Sequence, residues 1–367
     1  MKVDVITRHA ISNYGSILQT IATQQLLNDL GYDYEIIDYI RTDESYYNRE
    51  ITLLNRKKKW KNNVFKRIIY LILRVPESII AGKYFEKERN KYLKLTKRYT
   101  SIDELTKDCP QADIYMTGSD QVWGKTENGE YDEAYCLSFA DGVKTSYAAS
   151  FGNVNNEYET NQFFLKYLSV YEHILVREDT AVTYLNSLGL SASQVLDPTL
   201  LYGQKYWDRY TKPIKKKDYI LIYQLHNDKK FENIAVKIAK KEHKRLIRIS
   251  ATFHQVSRVG QFVYLPSIGE FLNYIKNASL LITDSFHGTA FAINFHTQFV
   301  EILPSSNTEE RNKSILRNFE LSNRVISSYD DYLELNNLID YGLIEEKLKK
   351  QRATSVELIK SIIEKSE

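Results

Sequence analysis

The chain begins with a regular exchange between short apolar runs and amphipathic stretches. Residues 3–6 form an apolar run that predicts a β-strand, and residues 16–30 carry apolar side chains at helical spacing. Gly31 stands where a helix commonly ends, and residues 34–38 predict a second strand. A strand, a helix and a strand in this order predict a βαβ unit with parallel strands.

The same pattern continues along most of the chain, with one interruption. Residues 44–98 are highly charged and helix-prone, and we interpret them as a helical insertion. A polar, basic segment at 203–218 separates two further groups of predicted strands. These strands are at 112–117, 145–150, 173–177, 219–225, 246–249, 280–283 and 298–303.

We therefore expect an α/β protein in which each half is a parallel, doubly wound sheet. The pattern predicts an N-terminal domain at 1–210, a C-terminal domain at 211–340 and a closing helix at 341–367. In such sheets, ligands bind outside the carboxyl ends of the strands. The turns that follow predicted strands are therefore the places to look for chemistry.

The composition narrows the function classes. The 50 Lys and Arg residues nearly balance the 47 Asp and Glu residues, which does not favour nucleic acid as a partner. Cys109 and Cys136 form neither a disulfide framework nor a CxxC pair, so we expect no metal site and a reducing compartment. The sequence has no N-terminal apolar stretch of signal length and no run of about 18 apolar residues. We expect a cytoplasmic protein.

The strongest candidate site lies at 280–292, where an apolar strand ends in a polar turn and a helix begins. The first N–H groups of a helix and its dipole favour a bound anion. Gly288 allows an anion to approach the backbone, Ser285 and Thr289 can add hydroxyl donors, and His287 can act as an acid or base. The alternative is a capped helix with a satisfied histidine, but the strand–turn–helix context favours the anion site.

Three other turns carry polar side chains after a predicted strand. An acid and an amide after the strand at 112–117 suit sugar hydroxyls, and an arginine at a strand end can clamp a carboxylate or phosphate. Taken alone, each of the three turns also fits an ordinary structural role. The first can be a common turn, the second a turn with Trp123 packed nearby, and the third can carry a solvated arginine. The residues are Asn13, Tyr14, Gly15 and Gln19, then Ser119, Asp120 and Gln121, and lastly Arg177.

Taken together, these turns resemble the motifs of the polysaccharide pyruvyl transferase family. The resemblance spans residues 1 to about 325 in the family's order, and residues 311–324 are similar to the family's tail. The insertion at 44–98 matches none of the shared motifs. The matching segments are 13–19, 118–123, 146–152, 176–178, 196–199 and 284–289.

The resemblance implies two Rossmann-like domains facing across a cleft, as in GT-B glycosyltransferases. It implies transfer of the enolpyruvyl unit of phosphoenolpyruvate to a sugar of a surface polysaccharide or its lipid-linked precursor, which leaves a pyruvate ketal. Phosphoenolpyruvate is then a substrate, and no cofactor or metal is implied. His287 would be the catalytic acid and base. The donor-binding residues would be Arg177, Ser285, Gly288, Thr289 and Arg311, with the residues of the turns at 13–19 and 118–123 on the acceptor side or in the cleft.

Two other functions fit a chain of this architecture. A GT-B glycosyltransferase that uses a nucleotide sugar would need a ribose-binding acid in the C-terminal half, and we recognise none there. A non-catalytic carbohydrate-binding protein would be expected to lose its acid/base residue, whereas His287 is intact.

A basic segment at 56–74 carries eight Lys or Arg residues and no acid. Its apolar residues recur at roughly helical spacing. An amphipathic helix of this kind can lie on an anionic membrane surface, which would place the enzyme peripherally at the inner face of the membrane. The alternative is a helix that packs on the protein body with a solvated basic face.

Overall fold

A computed structural model describes residues 1–56, 63–154, 156–303, 309–335 and 337–365. The chain divides into two compact units. The first contains Met1–Pro198 together with Val356–Glu367, and the second contains Thr199–Ser355.

The first unit is built on a parallel sheet, which has five strands within the described residues. Its strand order is β3-β2-β1-β4-β5, so the first strand of the chain lies at the centre. On β1, Val3 pairs with Tyr34 on one side and with Ile114 on the other. The strands are β1 (Lys2–Ile6), β2 (Asp33–Tyr39), β3 (Leu95–Tyr99), β4 (Ile114–Thr117) and β5 (Val143–Ser146).

A short parallel pair continues this unit beyond β5. It consists of β6 (Ile174–Val176) and β7 (Ala192–Gln194). Single bridges join Asp120 to Ala149 and Ala149 to Val176, so the turns after β4 and β5 lead across to β6. The polar turns after these strands therefore lie along one edge of the sheet.

The helices of the first unit connect these strands. Asn13 caps the first helix, because its Oδ1 accepts a hydrogen bond from the Gly15 N–H at 2.8 Å. Gly31 follows the helix at φ +83°, a conformation that glycine adopts without strain. The helices are α1 (Tyr14–Asp29), α2 (Arg49–Arg56), α3 (Val64–Tyr92), α4 (Ile102–Lys107), α5 (Tyr158–Leu168) and α6 (Asp179–Ser187).

The predicted insertion at 44–98 is only partly helical. It contains α2 and α3, but its last residues belong to β3, the edge strand of the sheet. The prediction was wrong there because β3 is polar, and Tyr99 is its one buried side chain. An edge strand with this pattern has no apolar run to indicate it.

The second unit repeats the topology of the first. Its sheet, again five-stranded within the described residues, has the order β10-β9-β8-β11-β12, and all its pairs are parallel. Strand β10 was not predicted, although its residues 262–264 form a short apolar run. The strands are β8 (Tyr219–Tyr223), β9 (Arg245–Ser250), β10 (Gln261–Tyr264), β11 (Leu280–Thr283) and β12 (Phe299–Glu301).

The remaining helices follow Asp197. The last of them is the predicted closing helix, and its residues from Val356 onward are counted with the first unit. These helices are α7 (Pro198–Leu201), α8 (Gln204–Trp207), α9 (Lys229–Lys241), α10 (Ile268–Lys276), α11 (Phe286–Phe295), α12 (Glu309–Asn318), α13 (Tyr329–Glu334) and α14 (Tyr341–Lys365).

The division between the units lies earlier in the chain than the predicted boundary at 210–211. Trp207 is fully buried and packs edge-on against Phe291, with 5.0 Å between ring centroids. Its Nε1 donates to the carbonyl oxygens of Thr199 at 3.0 Å and Tyr202 at 3.1 Å. Because this side chain anchors the segment that contains it, residues 199–210 belong to the second unit.

We expect Trp207→Ala to destabilise the second unit by ~3–5 kcal/mol, because it leaves a large cavity and removes the indole donor. Denaturant unfolding followed by circular dichroism measures this loss. Leu338→Ala is the control, because Leu338 is an exposed apolar residue of the same unit. Equal stabilities for the two variants would contradict the anchoring role of Trp207.

Candidate functional site

Each unit has one place where the strand order reverses. In the first unit, β1 and β4 lie side by side and are followed by the turns that begin at Thr7 and Gly118. In the second unit, β8 and β11 are followed by the turns that begin at Gln224 and Asp284. Ligands of doubly wound sheets bind at such switch points.

Asp284 holds the two turns of the second unit together. Its Oδ1 accepts from the Leu225 N–H at 2.7 Å, and its Oδ2 accepts from the His226 N–H at 2.8 Å. The Nδ1 of His226 lies 3.1 Å from the same Oδ2. The carboxylate is nearly buried and is used by these contacts, so Asp284 shapes the switch point.

Ser285 and Gly288 start the helix that follows β11. Ser285 is the N-cap of α11, and its Oγ accepts from the Gly288 N–H at 3.3 Å. A side chain at Gly288 would place its Cβ 2.6 Å from Thr283 Oγ1 and 3.2 Å from Tyr223 Cδ1. The glycine therefore allows close packing of α11 on the sheet. Contact of Gly288 with a phosphate stays a prediction.

His287 lies in the first turn of α11, two residues after the N-cap. Its side chain is 5% exposed and meets the ring of Phe286 edge-on, with 5.2 Å between centroids. The first turn of a buried helix places backbone N–H groups and the positive end of the dipole beside the imidazole. A role for His287 as an acid and base beside an anion bound at this helix start stays a prediction.

In the first unit, the predicted turn residues form a connected network. Thr7 Oγ1 donates to the Ser119 carbonyl oxygen at 2.6 Å, and Gln19 Nε2 donates to Thr7 Oγ1 at 3.0 Å. Ser16 Oγ donates to Asp120 Oδ2 at 2.8 Å, and Asp120 adopts φ +75°. The start of α1 is thus hydrogen-bonded to the turns that follow β1 and β4.

Other predicted residues of these turns have packing roles. Tyr14 is fully buried and meets the ring of Phe85 with 5.0 Å between centroids. The Gln121 N–H donates to Asp120 Oδ1 at 2.9 Å. Trp123 is buried as well, and its Nε1 donates to the Tyr135 carbonyl oxygen at 3.0 Å. Ligand contacts of the turns at 13–19 and 118–123 stay a prediction.

Arg177 lies at the end of β6 and is almost completely buried. Its Nε donates to Glu178 Oε1 at 2.9 Å, and its Nη1 donates to Asp197 Oδ2 at 3.0 Å. Asp197 also accepts from Ser119 Oγ at 2.9 Å, and Glu178 accepts from Ser150 Oγ at 2.8 Å. Burial lowers the pKa of Arg177, but the neighbouring carboxylates more than offset it and raise the pKa overall. Arg177 thus joins four separate turns, and its contact with a donor stays a prediction.

The comparison with known protein families covers the same turns. The family model for polysaccharide pyruvyl transferase matches residues 13–307, most of the chain and the turns of both units. The chain belongs to the polysaccharide pyruvyl transferase family. The resemblance of its turns to that family is thereby confirmed. A search of curated proteins gives no match.

Solved structures show the fold of this pyruvyl transferase family member. UDP-GlcNAc 2-epimerase of Methanocaldococcus jannaschii, in complex with UDP-GlcNAc and UDP, is 15% identical with a TM-score of 0.50, covering 99% of each chain. The Neisseria meningitidis epimerase is 12% identical with a TM-score of 0.51, covering 100% of each chain. A glycotransferase of kitacinnamycin is 11% identical with a TM-score of 0.50, covering 100% of this chain and 98% of the other. The predicted GT-B-like α/β fold of two Rossmann-like domains is confirmed.

In the second unit of this pyruvyl transferase family member, a buried carboxyl group underlies the switch point. Thr289 Oγ1 donates to Glu301 Oε2 at 2.8 Å. Thr289 was predicted to bind the donor substrate, and its hydroxyl is used in this contact within the protein. Asn312 Nδ2 contacts Glu301 Oε1 and also donates to the Asp284 carbonyl oxygen at 3.1 Å. Through Asn312, the start of α12 is therefore tied to the turn that carries His287.

Burial raises the pKa of Glu301 to about 8, and the hydrogen bonds from Thr289 and Asn312 oppose that rise. The charge of the neighbouring Arg311 also opposes it. The sequence analysis missed Glu301 and Asn312. A carboxylate inside the apolar run at 298–303 was the signal that could have found the first. For Asn312 the sequence held no comparable signal, because its partners are distant along the chain.

Within residues 1–56, 63–154, 156–303, 309–335 and 337–365, no three His, Cys, Asp or Glu side chains are grouped to hold a metal ion. The expectation that the protein uses no metal or cofactor stays a prediction.

We expect the raised pKa of Glu301 to make stability fall as the pH rises. The folded chain holds this proton up to about pH 8, whereas the unfolded chain releases it near the ordinary value of 4.5. Between these values the folded state binds more protons, so the free energy of unfolding decreases by at most about 1.4 kcal/mol per pH unit from this group.

Glu301→Gln should flatten that slope in denaturant unfolding at pH 5 and pH 8. Glu334→Gln, at an exposed carboxylate in α13, should keep the slope, and an unchanged slope in Glu301→Gln would contradict the assignment.

Proposed function

We propose that this protein transfers the enolpyruvyl unit of phosphoenolpyruvate to a sugar and forms a pyruvate ketal. The acceptor is a sugar of a surface polysaccharide or of its lipid-linked precursor, and the reaction takes place in the cytoplasm without a metal or cofactor. The observation that carries the proposal is His287 in the first turn of α11, at the switch point between β8 and β11, in a chain of this family.

The proposed reaction requires proton transfer in both directions. The imidazolium of His287 gives a proton to the methylene carbon of the donor, and the neighbouring carbon becomes positive. A sugar hydroxyl attacks that carbon, and its proton returns to the imidazole. The bond to the phosphate oxygen then breaks, phosphate leaves with the electron pair, and a second hydroxyl closes the ketal and passes its proton to the phosphate.

The anionic donor needs groups that stabilise its charge. The start of α11 supplies backbone N–H groups and Ser285, and Arg311 adds a positive charge from the first turn of α12. We propose that these groups hold the phosphate and that Arg177 contributes to donor binding. A nucleotide-sugar glycosyltransferase is the competing function, and the solved epimerases and glycotransferase share its fold.

The first turns of α3 support the proposed contact with a membrane. Among the described residues, six large apolar side chains there are 43–73% exposed. They recur every three or four residues, so they form one face, which we call the α3 apolar face. It consists of Val64, Phe65, Ile68, Ile69, Ile72 and Leu73. This exposure disfavours the alternative of a helix packed on the protein body.

We propose that the α3 apolar face lies on an anionic lipid surface. Lys66 is exposed at the edge of this face, as expected for a helix in the headgroup region. The cations Lys57, Lys58, Lys59 and Lys61 precede the helix but lie outside the described residues. None of the described helices has the length and apolarity needed to cross a bilayer.

We expect His287→Asn to lower turnover by about 100-fold or more, because an amide cannot transfer protons as an imidazole does. The assay follows phosphate release and the mass gain of the sugar with phosphoenolpyruvate and a panel of β-galactoside and N-acetylmannosamine acceptors. Calorimetry should show that donor binding is retained. His243→Asn, at an exposed histidine after α9, should match the wild type.

Two results would refute the proposed function. One is turnover near the wild-type rate in His287→Asn, which would remove the acid/base role. The other is saturable binding of a nucleotide sugar without any binding of phosphoenolpyruvate, which would favour the glycosyltransferase. Arg177→Ala should mainly weaken donor binding, although its buried ion pairs also require a check of folding by circular dichroism.

We expect the protein to float with vesicles of phosphatidylglycerol and not with vesicles of phosphatidylcholine. Phe65→Ser with Ile72→Ser should weaken this binding by about 100-fold, because each side chain contributes at least about 1.5 kcal/mol when buried in the lipid. Leu338→Ser is the control, because it removes an exposed apolar residue elsewhere. Three results would refute the membrane contact. Binding could persist in the double variant, it could persist after Lys57, Lys58 and Lys59 are neutralised, or the α3 apolar face could serve only to form dimers.

A further inference from the structure

A pocket opens in the first unit next to the carboxyl ends of β1 and β2. It holds about 500 Å³ of empty space, including space open to solvent. The turn after β1 and the segment at 133–136 form one side, and the insertion forms the other. The residues that matter for its chemistry are Arg8, Glu44, Tyr46, Arg49, Glu127 and Tyr135.

Arg8 is the buried polar group of this pocket. Its side chain is 8% exposed, and its Nη2 donates to Glu44 Oε1 at 2.7 Å. Its guanidinium carbon lies 5.9 Å from the centroid of the Tyr135 ring. Among the described residues, the Nε of Arg8 has no hydrogen-bond partner. A buried donor of this kind costs about 1–3 kcal/mol when it is left unsatisfied.

A second ion pair lines the same pocket. Arg49 Nε donates to Glu127 Oε1 at 2.8 Å. Glu44 Oε1 also accepts from the Glu127 N–H at 3.2 Å, so the two pairs are joined and their carboxylates are oriented. Two cations and two anions leave the pocket with no net charge, which does not suit an anion such as phosphoenolpyruvate.

This set of groups fits a sugar ring. Sugar hydroxyls donate and accept hydrogen bonds, and the pocket offers carboxylate acceptors beside guanidinium donors. The rings of Tyr46 and Tyr135 line it as well and provide apolar surface for the C–H faces of a pyranose. Of these residues, Glu44, Tyr46 and Arg49 belong to the insertion, which none of the shared motifs covers.

We propose that this pocket binds a neutral hexopyranose unit of the acceptor glycan and that Glu44 and Arg49 of the insertion are ligands for its hydroxyls. The statement that the bound sugar belongs to the acceptor glycan rests on the proposed function. The binding of a sugar in the pocket can be measured without turnover. The insertion then supplies the part of the enzyme that selects the glycan.

The binding test uses the full chain and ligand-detected NMR saturation transfer with methyl glycosides of glucose, galactose, mannose and their N-acetyl derivatives, without phosphoenolpyruvate. We expect at least one neutral glycoside to bind, and we expect Arg49→Ala and Glu44→Gln to weaken it by about 10-fold each. Arg317→Ala is the matched control and should bind normally, because Arg49 and Arg317 are both 39% exposed and each forms a short salt bridge with a glutamate.

The outcomes separate the two proposals. Binding of no neutral glycoside, equal binding by Arg49→Ala and the wild type, or displacement of the glycoside by inorganic phosphate would overturn the pocket proposal. Because Glu44→Gln loses the charged partner of buried Arg8, Arg49→Ala decides the result if Glu44→Gln does not fold. In the turnover assay, Arg49→Ala should raise the KM for the acceptor and leave kcat and donor binding unchanged. A protein that binds the glycoside in the pocket but does not use phosphoenolpyruvate would refute the proposed function and leave the pocket proposal supported.

Discussion

The guanidinium of Arg177 lies almost entirely out of water between Glu178 and Asp197. A buried charge is tolerated only when its partners are in place, and removal of one partner typically costs about 3–5 kcal/mol. Asp197 in turn accepts from Ser119, and Glu178 accepts from Ser150. Four motif segments that are far apart in sequence are therefore parts of one ionic network. This network explains why these segments occur together even though each would be unremarkable alone.

The second unit joins its turns through side-chain contacts of its own. Asp284 accepts three close contacts from the turn after β8, and Asn312 joins the Asp284 carbonyl oxygen to Glu301. Burial raises the pKa of Glu301 to about 8. The turn that bears His287 is thus joined to α12 through Asn312 and to the turn after β8 through Asp284. A rigid turn is a suitable base for a group that must transfer protons with defined geometry.

The insertion is the part of the first unit that departs most from the repeated topology. It contributes Glu44 and Arg49 to a charge-balanced pocket, and it exposes the α3 apolar face. The shared framework supplies Arg8 and Tyr135 to the same pocket, so the insertion modifies a site that the sheet already positions. A glycan carried on a lipid would make use of both features, because the pocket suits a sugar and the apolar face suits a lipid surface.

The sequence by itself determined the fold class and the location of His287. Strands such as β1, β8 and β11 are buried in a parallel sheet, so their apolar runs indicate them directly, and a polar turn before a helix marks α11. Only the tertiary structure decided the edge strand β3, because its polar residues form no apolar run. It also decided the boundary at Thr199, because Trp207 anchors its segment to Phe291. The partners of Arg177, Glu301 and Arg8 come from distant parts of the chain, and local periodicity carries no information about which distant residues meet.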